Sequence, residues 1–129
     1  MPGFLGTYSI TVDEKGRVTV PSKLRGVLEK NYGPELVICQ KGDYLLIFPE
    51  KEWAVNEENL SKLNAFDEDD RKKLRAYYSQ AADCEIKSGK ILIPANLREA
   101  AGLNKEAILV GMSRTFEIWD ADRWADQTG

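Results

Sequence analysis

The stretch GRVTVPSKLR, Gly16–Arg25, decides the fold, because the chain repeats it as GKILIPANLR, Gly89–Arg98. A second matched block follows each copy: ELVICQKGDYLLIFPEKEW (35–53) aligns without gaps on EAILVGMSRTFEIWDADRW (106–124). Repeated units of this kind bury their apolar faces against one another. We therefore expect two equivalent halves that share one core.

Each half is predicted to run strand, strand, helix, strand, strand. Polar and apolar residues alternate in 8–12 and 17–20, and the turn between these segments ends on Gly16. Such alternation predicts strands, and glycine supplies the positive φ that a tight hairpin turn needs. Pro21 suits the first turn of a helix, and Pro94 occupies the same place in the second half. The remaining strands are predicted at 35–39, 44–48, 90–93, 106–110 and 115–119.

The whole chain, 1–129, is predicted to fold as one domain of mainly β structure with helices, an α+β fold. Its first repeat spans 4–53 and its second repeat spans 83–129. The connector, 54–82, lies outside the duplication, and its apolar spacing predicts two helices, with Asp67 as the N-cap of the second. Aromatic residues left over from the β core are expected to seal these helices against their own half or a neighbouring subunit: Trp53, Tyr77, Tyr78 and Trp124.

Composition and charge narrow the classes of protein that the chain can represent. The net charge is −3 and 43% of the residues are apolar. No apolar run approaches the length of a membrane span and no signal peptide is visible, so we expect a cytoplasmic chain with no membrane partner. Residues 35–70 hold ten acidic and three basic side chains, whereas the repeated motifs are basic. A polyanion can still bind if the basic elements share one face.

Nothing in the sequence points to an enzyme. The chain contains no histidine, which removes the commonest acid–base catalyst and metal ligand near neutral pH. It has no phosphate-binding loop and no pairing of a nucleophile with a base, and Cys39 and Cys84 lack metal-binding spacing. We expect no catalytic residue, no metal site, no cofactor and no small-molecule substrate.

The turn Asp13–Arg17 is the strongest candidate for a functional site. A string such as DEKGR is more often a solvated turn in which the aspartate bonds to its own backbone. The alternative is that Lys15 and Arg17 project together from a hairpin tip, with Asp13 orienting Arg17 through a charge-assisted hydrogen bond. An oriented arginine can bind phosphate or the acceptor edge of guanine through two nitrogens, whereas lysine acts as a point charge.

Two further basic residues follow on the first predicted helix. Lys23 and Arg25 can contact phosphates or serve as plain surface charge. Because Arg25 matches Arg98 across the repeat, a structural role is an equal alternative for this pair. In that role the aliphatic stem would pack against its own half.

The combined motifs resemble those of the MraZ family of bacterial transcriptional regulators. The resemblance rests on TVDEKGRVTVPSKLR, on the second copy GKILIPANLRE, and on the endings FPEKEW and EIWDADRW, and it covers Phe4 to Trp124. It implies two AbrB-like (SpoVT-AbrB) halves in one swapped-hairpin β-barrel with added helices. It also implies a homo-oligomeric ring that binds double-stranded DNA sequence-specifically at short promoter repeats of the division and cell-wall gene cluster. Autoregulation and a nucleoid-associated location follow from the same resemblance.

The family's D-x-x-x-R signature falls on Asp13 and Arg17, but the second copy departs from it. Residues 84–90 read CEIKSGK, so the aspartate is absent, Lys90 replaces the arginine, and the turn is predicted to be one residue shorter. Ile86 is taken as the counterpart of Asp13, so this turn has no carboxylate that could orient a guanidinium at position 90. Lysine keeps the positive charge but lacks the guanidinium fork. The first half is therefore expected to read the base sequence, and the second half to position the protein on the DNA backbone. The predicted DNA-binding residues are Asp13, Lys15, Gly16, Arg17, Lys23, Lys87 and Lys90.

Two other functional classes compete with a DNA-binding regulator. A structural or protein-interaction ring with incidental nucleic-acid binding would explain the net acidity and the aromatic endings of the two halves. A small enzyme would explain no specific feature of the sequence.

Overall fold

The computed structural model describes residues 3–128, in which eight strands and five helices form an α+β fold. Residues 1, 2 and 129 of the predicted single domain lie outside the described residues. The elements of the first half are β1 (Thr7–Thr11), β2 (Arg17–Thr19), α1 (Ser22–Asn31), β3 (Glu35–Lys41), β4 (Tyr44–Pro49) and α2 (Glu50–Leu60). After α3 (Glu68–Tyr78), the second half repeats the order with β5 (Ala81–Glu85), β6 (Lys90–Leu92), α4 (Ala95–Ala100), β7 (Glu106–Gly111), β8 (Phe116–Asp120) and α5 (Ala121–Thr128).

Both sheets contain strands from the two halves. The larger sheet has six antiparallel strands in the order β1-β7-β8-β4-β3-β5, and the smaller one pairs β2 with β6. Only the hairpins β3–β4 and β7–β8 join strands of the same half. Strand β1 pairs with β7, β5 with β3, and β4 with β8, so each of these pairings crosses between halves. The two halves therefore build both sheets jointly.

The predicted hairpin between 8–12 and 17–20 differs in the structure. Strands β1 and β2 meet at the single bridge Val12–Val18 and then separate, β1 joining the large sheet and β2 the small one. In the second half, the bridge Lys87–Lys90 lies between β5 and β6. The physical reason is that each strand finds a longer antiparallel ladder in the opposite half than beside its sequence neighbour.

One apolar core lies between the sheets and takes residues from both halves. In the small sheet, Val18 faces Ile91 across the ladder, and both side chains are fully buried. In the large sheet, Leu45 of β4 stands opposite Ile118 of β8, again with both side chains buried. Because side chains alternate along a strand, the neighbours of Val18 and Ile91 must face outward. The core thus fixes which residues of the small sheet reach solvent.

The N-terminal segment closes the core at one end. Phe4 is fully buried between Tyr32, which directly follows α1, and Phe116 of β8, with ring centroids 5.9 and 5.1 Å away. Its backbone exchanges two hydrogen bonds with Ser113, of 2.7 and 2.8 Å. The backbone of Phe4 lies so close to Gly111 that a Cβ on this glycine would come within 2.5 Å of it. A first-half residue therefore completes the packing of second-half strands.

The helices follow the predicted order with shifted boundaries. Helix α3 begins after Asp67, whose side chain accepts a 3.0 Å hydrogen bond from the backbone N–H of Asp70, as the sequence predicts. Helix α2 begins at Glu50, inside the predicted first repeat, and α5 was not predicted at all. The aromatic endings pack within their own half: Trp53 lies edge-on to Phe48 at 5.1 Å, and Trp124 contacts Trp119 at 5.6 Å.

Candidate nucleic-acid interface

The first turn, Asp13–Arg17, is a three-residue loop held by its own aspartate. The N–H of Asp13 donates to the carbonyl of Arg17, and the N–H of Gly16 donates to the carbonyl of Asp13, both at 2.9 Å. The carboxylate Oδ1 of Asp13 accepts from the N–H groups of Lys15 (3.0 Å) and Arg17 (2.8 Å). Gly16 has φ +87°, a conformation that glycine adopts without steric cost. The loop is therefore fixed by four hydrogen bonds.

The second carboxylate oxygen of Asp13 orients Arg17. Arg17 Nε donates to Asp13 Oδ2 at 2.8 Å, and the side chains are 42% and 37% exposed, respectively. Within residues 3–128 the terminal nitrogens of Arg17 make no hydrogen bond to protein, so they face solvent in a fixed direction. The pKa of Asp13 is lowered, chiefly by the backbone N–H of Arg17, against partial desolvation. Because the pKa of Asp13 is depressed in the folded state, the ionised carboxylate stabilises the fold at neutral pH. This stabilisation is lost as the pH falls through the folded-state pKa.

The second turn, Lys87–Lys90, has a different construction. The backbone groups of these two lysines exchange a pair of 2.9 Å hydrogen bonds, so only Ser88 and Gly89 lie in the loop. Both loop residues have positive φ, +51° and +74°, as the mirror-image two-residue hairpin turn requires. The loop is one residue shorter than the first, which confirms the length difference that the sequence predicts. Both lysine side chains are exposed.

The counterpart of Asp13 in the second turn is Lys87, and the sequence-based choice of Ile86 is wrong. The N–H of Ile86 donates to the carbonyl of Pro34 at 2.9 Å, just as Val12 donates to Lys105 at 2.8 Å, so Ile86 corresponds to Val12. Like Val12, Ile86 packs against the core. A second cation therefore occupies the place of the carboxylate, and no acidic group in this turn orients Lys90.

The small sheet places Arg17 and Lys90 on one exposed face. Arg17 stands opposite Leu92, and Lys90 stands opposite Thr19. Their neighbours Val18 and Ile91 point into the core, so these four side chains point outward, at opposite corners of a short ribbon. Leu92 is 55% exposed and lies directly beside Arg17. Lys15 and Lys87 extend from the turns at the two ends of the ribbon.

Helix α1, which carries Lys23, begins beside the second turn, although it follows the first turn along the chain. Lys23 occupies the first turn of α1 and is exposed. Arg25 of the same helix places its guanidinium against Gly89, whereas Arg98 of α4 places its guanidinium against Gly16. Each guanidinium thus contacts the opposite half, whereas the sequence suggested packing against its own half. The match of Arg25 with Arg98 across the repeat indicates a structural role for both arginines. The repeat alone does not indicate which half each guanidinium contacts.

Replacing Asp13 with asparagine separates the two tasks of its carboxylate. Asp13→Asn keeps an oxygen for the amides of Lys15 and Arg17 but presents an NH2 group, a donor, to Arg17 Nε. We expect the loop to persist and the arginine to lose its fixed direction. On the hypothesis that this turn reads DNA bases, discrimination between DNA sequences should fall while nonspecific binding stays. Asp13→Ala removes both the contacts to the loop amides and the contact to Arg17 Nε, so its discrimination between DNA sequences should fall further. Titrations of the protein with a duplex of its own upstream region and with a scrambled duplex measure this discrimination. Equal discrimination by the native protein and Asp13→Asn would contradict the prediction.

Three further features of the described residues bear on the chemistry that is open to the chain. Within residues 3–128, no group of three or more His, Cys, Asp or Glu side chains is placed to hold a metal ion. None of the helices described has the length and apolar character that crossing a lipid bilayer requires. Cys39 and Cys84 are free thiols, and burial raises the pKa of Cys84 to about 12.

The fold and the site together define an internally duplicated α+β protein that presents two unequal basic turns at the ends of one short ribbon. The chain belongs to the MraZ family. The family model, described as "MraZ protein, putative antitoxin-like", matches residues 4–76 and 78–129. The two matched segments follow the internal duplication, and the resemblance drawn from the sequence motifs is confirmed.

Curated relatives match over nearly the whole chain. A protein named Transcriptional regulator MraZ from Desulfitobacterium hafniense (strain Y51) is 44% identical over 126 residues, which cover 95% of this chain and 85% of the relative. Its namesake from Carboxydothermus hydrogenoformans is 40% identical, covering 94% and 83%. The one from Limosilactobacillus fermentum is 37% identical, covering 95% and 84%. These relatives are named as regulators and not as enzymes, which confirms the non-enzyme prediction at the level of the family.

Proposed function

We propose that this chain is a sequence-specific DNA-binding transcriptional regulator that reads bases with its first turn and grips phosphate with its second. The observation that carries the proposal is the Asp13–Arg17 contact. It holds a guanidinium by Nε at 2.8 Å and leaves the terminal nitrogens free on an exposed face. That arrangement suits the O6 and N7 acceptors of guanine in the major groove. Lys87 and Lys90, with no acidic partner in their turn, suit phosphate.

The shape and charge of the small sheet support the same function. A two-stranded ribbon is narrow enough to enter the major groove of B-form DNA. The excess of acidic side chains lies in residues 35–70, on β3, the β3–β4 turn, α2 and the start of α3. The ribbon β2–β6 itself carries no acidic residue. A net charge of −3 therefore leaves a basic face available for a polyanion.

We infer that the fold is a single AbrB-like domain, a swapped-hairpin β-barrel made by the two repeats 4–53 and 83–129 with the connector between them. The pairings β1–β7 and β5–β3 support it, because each carries the first strand of one half into the sheet of the other. Its proposed place of action is the nucleoid. Its proposed targets are the repeated promoter boxes of the division and cell-wall gene cluster, as the family resemblance implies.

A homo-oligomeric ring is part of the proposal. Several large apolar side chains are exposed on a single chain, among them Phe66 at 96% and Met112 at 51%. Where exposed apolar side chains adjoin one another they mark protein contacts, and in the proposed ring these side chains would be covered by neighbouring subunits. A ring would present many turns to repeated boxes and raise avidity, because later contacts become intramolecular. Light scattering should give a multiple of the single-chain mass at micromolar concentration; a single-chain mass would contradict the ring.

A protein-interaction ring with incidental DNA binding is the second candidate. It is favoured by Phe66, which is almost fully exposed beside the acidic start of α3. Binding isotherms on the chain's own upstream region and on a scrambled duplex, at several salt concentrations, separate the two. Tight binding to the upstream region alone supports the regulator, whereas equal and weak binding to both duplexes supports the interaction ring.

Lys90→Ala should weaken binding to every sequence alike. Lys90 is exposed and has no carboxylate to direct it, so its loss removes at most one phosphate contact per engaged turn. We expect a similar loss on the upstream region and on the scrambled duplex. The dependence of log K on log salt should become shallower by about one for each engaged turn. A selective loss on the upstream region would instead assign base reading to the second turn.

A further inference from the structure

Arg98 lies flat against the glycine of the first turn, although the two residues belong to different halves. A Cβ placed on Gly16 would come within 2.6 Å of Cζ, 2.7 Å of Nη1 and 2.8 Å of Nε of Arg98. Since these three atoms are almost equally distant, the planar face of the guanidinium covers the glycine. Gly16 is buried, and Arg98 is itself half-buried. No larger residue at position 16 could coexist with the arginine in this position.

The contact is reciprocal, and the backbone repeats it. Arg25 lies against Gly89, mainly through one terminal nitrogen: a Cβ on that glycine would come within 2.6 Å of Nη1 and 3.3 Å of Cζ of Arg25. The carbonyl of Gly16 accepts a 2.9 Å hydrogen bond from the N–H of Ile93, and the carbonyl of Gly89 accepts one of equal length from Val20. Each turn glycine is therefore held on two sides by the opposite half.

The two arginines make no ion pair that would explain their place. Within residues 3–128, neither Arg25 nor Arg98 lies within salt-bridge distance of a carboxylate. The Nε of each is buried without a hydrogen-bond partner. An unpaired buried donor is unfavourable, so the compensating interaction has to come from packing. A guanidinium is flat and weakly hydrated, and these properties suit it to stacking against a backbone.

We propose that Arg98 is a positioning residue for the first turn, which holds Gly16 from the opposite half and so sets the direction in which Asp13 presents Arg17. Gly16 adjoins Arg17 and donates its N–H to Asp13, so a shift of this glycine moves both members of the pair. The effect on DNA rests on the proposed function. The effect on the turn itself does not, and it can be measured on the protein alone.

Amide hydrogen exchange on the full-length protein, without DNA, provides the first test. In Arg98→Met and Arg98→Lys, the amides of Lys15, Gly16 and Arg17 should exchange several-fold faster than in the native protein. Rates are compared with core amides of β8, so that a general loss of stability is separated from local loosening. Arg98→Lys keeps the charge and most of the stem, so native-like exchange in this variant would overturn the role of the flat guanidinium.

Arg25→Met is the matched control, because it removes the equivalent contact from the second turn. It should accelerate exchange at Lys90, whose amide closes that turn, and leave the first turn as in the native protein. Faster exchange at both turns in either variant would indicate general disruption and overturn a turn-specific role.

The second test uses DNA and excludes a direct phosphate contact. If Arg98 acts through the turn, Arg98→Met should lose discrimination between the upstream region and a scrambled duplex, with an unchanged salt dependence. If Arg98 binds phosphate directly, both duplexes should be affected alike, with a slope lower by about one per engaged turn and native exchange rates. The latter result would overturn the proposal. Should the protein prove not to discriminate at all, the exchange data still decide the role of Arg98 in the turn.

Discussion

Arg17→Ala should abolish the preference for the upstream region over a scrambled duplex while leaving the protein folded. Loss of a bidentate contact to guanine costs about 1–3 kcal/mol of discrimination. In the proposed ring the loss would recur in every subunit that engages the DNA, so the combined effect should exceed that of any other turn substitution. The side chain is 42% exposed and its one ion pair is solvated, so the change in unfolding free energy should stay within about 1 kcal/mol. Binding isotherms and urea unfolding measure the two quantities.

Arg17→Lys is the matched control for this substitution. It retains the positive charge and loses the guanidinium fork, so nonspecific binding and salt dependence should stay near native values while discrimination is lost. Full discrimination by Arg17→Lys would show that charge alone is sufficient at this position. Discrimination that survives Arg17→Ala and disappears in Lys90→Ala would show that base reading belongs to the other turn.

Phe4→Ala should give the largest loss of stability among single substitutions in the N-terminal segment. Phe4 is fully buried between Tyr32 and Phe116, and truncating a buried phenylalanine costs about 3–5 kcal/mol. The cavity would open between Tyr32 of the first half and a strand of the second half, so both halves should unfold together. The free energy of unfolding in urea, measured at fixed protein concentration, reports the change. Retention of native stability would show that the segment is not part of the cooperative unit.

The neighbouring Leu5 provides the control for that prediction. It is 54% exposed, so Leu5→Ala should change the free energy of unfolding by no more than about 0.5 kcal/mol. A large loss in this variant would indicate that Leu5 is covered in the assembled protein, and would map a subunit contact to this end of the chain.

The sequence predicts the order of elements well because local chemistry controls it. The alternation in β2, the prolines before α1 and α4, and the cap at Asp67 act within a few residues of the chain. Partners of β1 and β5 could not be predicted, since alternation identifies a strand and is silent about its neighbour. Helix α5 follows β8 directly, and its short apolar pattern gave no separate signal.

At the candidate site, too, the sequence predicts local features and misses long-range contacts. The content of both turns and the shorter second loop follow from the sequence. Counting back from Gly89 nevertheless misplaced the counterpart of Asp13, because the missing loop residue shifts the alignment by one, from Lys87 to Ile86. The contacts of Arg25 and Arg98 are long-range, and a repeat that matches two residues does not say which half each one touches.

In the proposed complex with DNA, the unequal turns would give the chain a polarity along the duplex. A protein with two identical, two-fold-related turns looks the same to DNA after half a rotation, and such proteins favour palindromic sites. Here Asp13 and Lys87 occupy equivalent places in the fold with opposite charge. A 180° rotation of the chain would put Lys87 and Lys90 in the place of the Arg17 guanidinium that Asp13 orients. The two docking orientations on the duplex would therefore differ in energy. Fusion of the two halves into one chain is what permits this difference, since a dimer of one repeat would have to carry the same turn twice.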